Sequence, residues 1–155
     1  MKKALSILIL LTVTMGCCSS KKTAQASTDR KGQGLQFEYT ALTRGSYKKV
    51  IATAEGLKVT NGRDAEPQNV AISTADWNNM VDFYQKNIEK KLSGLQDLEA
   101  PSKKHQYDGA LAATFTVMIG DQLFRTPTFD HGNPPAQVKG LVDEMIRLAG
   151  METNK

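Results

Sequence analysis

The stretch Thr128-Phe-Asp130-His131-Gly132-Asn-Pro-Pro135 holds the residue types best suited to chemistry in this chain. An aspartate beside a histidine suggests acid–base work, with the imidazole as general base and a carboxylate to orient it. The pair stands between the end of an apolar run and the expected start of a helix. Helix starts offer free backbone N–H groups and a partial positive charge. Two features argue for a plainer role. Neighbours along a chain rarely orient one another as a dyad, and Gly132 with the two prolines has the composition of a turn. The expectation is therefore that Asp130 and His131 build the turn, and no catalytic residue is assigned.

Other polar groups could join them. Tyr107-Asp108-Gly109 precedes an expected strand, and Thr43-Arg44-Gly45 reads as a turn between two others. If the loops at one end of a sheet cluster, Arg44, Asp108, Asp130 and His131 meet there. They would form either a small polar recognition site or a salt-bridge network that fixes loops, with Arg44 pairing bidentately to a carboxylate. Lys103-Lys104-His105 reads as a basic patch on a solvated loop. His105 and His131 lack the spacing of a metal-ligand pair, so no metal is expected. No Gly-x-Ser-x-Gly elbow, phosphate-binding P-loop or Gly-x-Gly-x-x-Gly turn occurs, and no cofactor is expected.

These residues need elements to position them. Leu35-Gln-Phe37-Glu-Tyr39-Thr-Ala41 alternates with the period of a half-buried strand. Tyr47 to Ala54 and Leu57 to Thr60 follow as strands, separated by the turn at Glu55-Gly56. Asn61-Gly62 predicts a tight hairpin, with Gln68 to Ile72 returning. Ser73 and Asp76 have the spacing of a helix capping box. Trp77, Met80, Val81, Tyr84 and Ile88 then form one apolar stripe, which Ser93-Gly94 ends. Leu95 to Asp108 reads as a loop.

The second half predicts a strand over Ala110 to Ile119, a turn at Gly120-Asp121 and a return over Gln122 to Phe129. Pro127 should lie at a sheet edge or strand end, because proline cannot donate to a ladder. Asn133 is the expected cap of a last helix, whose stripe is Val138, Leu141, Val142, Met145 and Ile146. The fold class is α+β: a mostly antiparallel sheet of about five or six strands with two helices packed on one face, in the order strands, helix, strands, helix.

The first residues are of a different kind. Lys2 and Lys3 precede an uncharged apolar run that ends at Gly16-Cys17-Cys18. The run holds about a dozen residues, short of the ~20 needed to cross a bilayer as a helix. It reads as an export signal. Gly16-Cys17 resembles the lipobox of bacterial lipoproteins, with Thr14 where that family usually carries leucine. The resemblance implies cleavage after Gly16, lipid on Cys17 and, with Cys18 rather than aspartate next, anchorage in the outer membrane facing the periplasm. The expected organisation is a signal over 1–16, a lipidated cysteine and flexible tether over 17–34, one α+β domain over 35–150 and a tail over 151–155. The polar tether would span on the order of 20 Å.

Cysteine usage and charge narrow the function further. Both cysteines sit at the signal boundary, so the domain has neither a disulfide nor a cysteine nucleophile. Lys+Arg number 20 and Asp+Glu 16, and loss of Lys2 and Lys3 with the signal leaves a net +2. That mixed surface gives no footprint for nucleic acid. The expectation is a non-enzymatic cell-envelope lipoprotein, held to the membrane by lipid, that binds an envelope protein or peptide. The alternative is a small envelope hydrolase using Asp130 and His131.

Overall fold

The structure is a computed structural model, and it describes residues 31–107 and 109–151. The expected signal, Cys17, the tether up to residue 30, Asp108 and the last four residues lie outside the described residues. Among the described residues, seven strands and two α-helices follow in the order β1 (Leu35–Leu42), β2 (Tyr47–Thr53), β3 (Gly56–Asn61), β4 (Gln68–Val70), α1 (Thr74–Asn87), β5 (Ala112–Ile119), β6 (Gln122–Arg125), β7 (Phe129–Asp130) and α2 (Ala136–Leu148). Two 3-10 segments, Glu89–Asp97 and Lys104–Tyr107, lie between α1 and β5.

All pairings are antiparallel, in the order β4-β3-β2-β1-β5-β6, with β7 also pairing β5. Alternation decides which face is buried. Leu35, Phe37, Tyr39 and Ala41 of β1 turn inward, in register with Val50 and Ala52 of β2 and with Ala113, Phe115 and Val117 of β5. Trp77 and Tyr84 of α1 pack their rings within 6 Å of Phe37, at 5.7 and 5.6 Å. Val138, Leu141, Val142 and Met145 of α2 complete the same core. Each large side chain fully buried this way contributes about 1.5–3 kcal/mol.

The α+β class and the two helices on one face are as expected; the strand count is higher because Pro127 divides the return strand. Thr126 sits before that proline. Its N–H donates to Phe115 O at 2.9 Å, and its Oγ1 accepts from Phe115 N–H at 3.1 Å. The hydroxyl thus replaces a carbonyl that the bend removes from the ladder. β6 and β7 are two pieces of one edge strand along β5.

Several boundaries differ from the expected ones. Six residues, not a tight Asn-Gly turn, join β3 to β4. The capping box at Ser73 and Asp76 is present, but α1 ends at Asn87, and the tighter turns after it bring Leu95 into the core. Asn133 does not cap α2, whose N-cap is Pro135 with no side-chain bond. The folded unit also starts earlier than Leu35. Trp77 Nε1–H donates to Lys31 O at 2.7 Å, Lys31 pairs with Asp82, and Gly32, at φ +75°, sits against Val81. Residues 31–34 therefore belong to the domain rather than to a tether.

The two helices run antiparallel and close at Gly140. A methyl group there would stand 2.3 Å from the Phe83 ring, so glycine sets the approach of α2 to α1.

Candidate functional site

Asp130 and His131 lie at the end of the sheet where β1 finishes. Leu42 pairs with Ala112, and Ala112 with Asp130. Alternation along the edge strand sends Phe129 to the core, turns Asp130 to the opposite side, and brings His131 back to the core side. Asp130 and His131 therefore face different partners, as period-2 geometry requires of neighbours in an extended chain.

Asp130 is almost wholly buried, 3 % exposed, and four hydrogen bonds converge on its carboxylate. Ser102 Oγ donates to Oδ2 at 2.5 Å, and Lys104 N–H to the same oxygen at 2.9 Å. His105 donates its backbone N–H to Oδ1 at 2.8 Å and meets it again through ring Nδ1 at 2.6 Å. Burial alone would raise this carboxyl, but the bonds from Ser102, His105 and Lys104 outweigh it and hold the group below the ordinary carboxylate range. Asn133 Nδ2 donates to Ser102 Oγ at 2.7 Å and closes the cluster. Asp130 is thus an anionic clasp on the segment Ser102–His105.

His131 is tied to β1 instead. Its N–H donates to Leu111 O at 2.9 Å, and its Nδ1 lies 2.6 Å from Tyr39 Oη. Burial pushes the Tyr39 hydroxyl well above its ordinary value, so it keeps its proton; the Gly132 N–H offsets part of the rise by donating to the same oxygen. The rings of Tyr39 and His131 lie 5.9 Å apart.

The four expected site residues are only partly brought together. Asp130 and His131 share the corner. Arg44 is exposed on the β1–β2 turn, and Asp130 takes its donors from Ser102, Lys104 and His105 rather than from that guanidinium. Asp108 lies outside the described residues. Lys103 and Lys104 are exposed as the solvated reading expects, and His105 alone departs from it, its side chain only 10 % exposed against Asp130. Spacing in the sequence carries no sign of Ser102 or His105. Tyr39 had a signal, since a phenol on the inward face of a strand needs a buried partner.

Beside this corner runs an open groove of about 750 Å³. Asp130, His131 and Ile146 line it, with Lys139, Asp143 and Arg147 from α2 and Lys104 from the second 3-10 segment. Lys139 Nζ pairs with Asp143 at 2.7 Å, and Arg147 holds Glu144 through two bonds of 2.8 and 2.6 Å. Comparison with protein-family models, with curated proteins and with solved structures finds no match. Among the described residues no group of three or more histidine, cysteine or acidic side chains could hold a metal, and no helix is long and apolar enough to cross a membrane.

Proposed function

We propose that this chain is a lipid-anchored cell-envelope lipoprotein whose domain is a non-enzymatic binding module for an envelope protein or peptide. The Gly16-Cys17 lipobox resemblance supports the anchor. The observation that carries the module reading is the state of Asp130. A carboxylate that already accepts four hydrogen bonds and is held in its charged form is a poor proton acceptor at neutral pH. Its four hydrogen bonds run to Ser102, Lys104 and His105, while His131 Nδ1 meets Tyr39 Oη. The polar groups with catalytic potential serve the fold, while the groove along α2 stays open for a ligand.

The test has two arms. Mass spectrometry of the mature N-terminus should find an acylated Cys17, and Cys17→Ala should move the protein from the membrane to the soluble fraction. A wild-type chain with an unmodified Cys17 rejects the anchor. For the module, a partner recovered from envelope extract should still bind His131→Ala. A His131→Ala protein that melts like wild type yet loses all measurable function replaces the module with the hydrolase.

A further inference from the structure

We infer that the pocket where α1 ends binds a fatty carboxylate, with Lys90 and Lys91 at its head and Ile88, Leu95 and Leu98 along its chain. This site shares no residue with the groove beside α2, and it goes beyond the binding-module reading.

Three observations converge. The first is room. Past Asn87 the chain bends: Lys91, at φ −128° and ψ 22°, interrupts the 3-10 segment Glu89–Asp97, and Leu95 returns to the core. The bend encloses a pocket of about 370 Å³, which Gln137 in the first turn of α2 also lines. At ~30 Å³ for each water-sized group, that is space for a chain of about ten carbons.

The second is charge. Lys90 and Lys91 both line the pocket, and among the described residues no carboxylate does. Neither ammonium has an ion-pair partner among those residues. The lining thus carries two positive charges and no negative one. A bound carboxylate relieves that repulsion, whereas a neutral or cationic chain does not. Lysine also suits an amphiphile, because its stem lies along apolar surface while its ammonium meets the head.

The third is an apolar lining beside an open wall. Ile88, Leu95 and Leu98 line the pocket; a small inorganic anion would leave them bare, and a hydrocarbon chain covers them. Ser93-Gly94 reads as a helix stop, yet α1 has already ended at Asn87. Gly94, which also lines the pocket, is not among the glycines at positive φ, and a methyl group on it would meet nothing within 4 Å. The backbone does not require a glycine there. What the missing side chain leaves is open space beside the two lysines.

The experiment uses the full chain in neutral detergent micelles, with decanoate as the probe and decanol and decylammonium as controls. Partition into the micelle is common to every variant, so the pocket is read from differences between variants. The readouts are calorimetry and the methyl resonances of Leu95 and Leu98. Decanoate should shift those resonances, and octanoate, two methylenes shorter, should bind about tenfold more weakly. Replacing both lysines, Lys90→Gln with Lys91→Gln, should weaken decanoate about fivefold, the scale of two exposed charged contacts, and leave decanol unchanged. Gly94→Leu should remove the shift by filling the open wall. Both variants should melt like the wild type, because the lysines are exposed and Gly94 faces open space. If Gly94→Leu melts early, the lysine variant, which disturbs no packing, decides. Decylammonium binding as tightly as decanoate, an unchanged decanoate affinity in the lysine variant, or no shift at millimolar decanoate overturns the inference.

Discussion

Lys31–Gly34 and Ser102–Tyr107 are both irregular segments laid against regular structure, and they are held by different chemistry. The first is fixed by an apolar anchor, with an exposed ion pair from Lys31 to Asp82 beside it. Trp77 is 1 % exposed, packs on Phe37 and gives a single neutral hydrogen bond to Lys31 O at 2.7 Å. The second is fixed by a buried anion, Asp130, which gathers four donors from the segment it holds. An apolar anchor is indifferent to pH and loses most when its volume is removed. An ionic clasp is sensitive to proton concentration, and loses most when its donors are stranded in a dry place. The clasped end is also the end with the groove, because the loop that Asp130 pulls in supplies Ser102 and Lys104 to its lining.

The comparison can be broken at either end. Trp77→Ala should have the largest effect, a loss of about 3–5 kcal/mol, from the removal of a large buried ring and the cavity it leaves. Thermal unfolding measures it, and the loss should be nearly the same at pH 5 and pH 8. An unchanged melting temperature would remove Trp77 from the core.

Asp130→Asn should lose less, about 1–3 kcal/mol at neutral pH, the penalty of stranding donors built for a carboxylate. It should also change the pH profile. The folded carboxyl lies below its unfolded value of about 3.9, so its contribution is present above that pH. It disappears as pH falls through the ordinary carboxylate range towards the folded value. Wild type should lose stability below about pH 4 more steeply than Asp130→Asn. Parallel acid limbs in the two proteins would show that the clasp is not ionic.

The smallest effect belongs to Arg44→Ala, which should shift stability by no more than ~0.5 kcal/mol because its guanidinium is exposed on a turn. A loss above 1 kcal/mol would mean that Arg44 belongs to the corner after all.

What the sequence told in advance follows from the range of each interaction. The inward set Leu35, Phe37, Tyr39 and Ala41 is legible because strand alternation is local, and so is the Ser73–Asp76 box, whose two members lie three residues apart. Pro127 announced an edge because the missing N–H is intrinsic to the residue. The clasp was not legible. Ser102 and His105 reach Asp130 across 28 and 25 residues, and nothing in their spacing marks the meeting. Asn133 misled for a related reason. It has the right type and place for a cap, but its amide is drawn to Ser102, and Pro134-Pro135 start α2 without it. Adjacency misled most: Asp130 and His131 touch in sequence and are turned apart by the strand that carries them.

The anchorage of Lys31 by Trp77 fixes where the chain leaves the domain, and so how the domain stands. Lys31 precedes the start of β1, while the groove lies where β1 finishes, about 25 Å further along a strand of eight residues. Thirteen residues separate Lys31 from Cys17, the residue that the proposed anchor would carry lipid on. The chain thus enters the domain at its Trp77 end, and the groove lies at the opposite end of β1. A pull along the chain from its N-terminal side would therefore load the Trp77–Lys31 hydrogen bond first and reach the groove last.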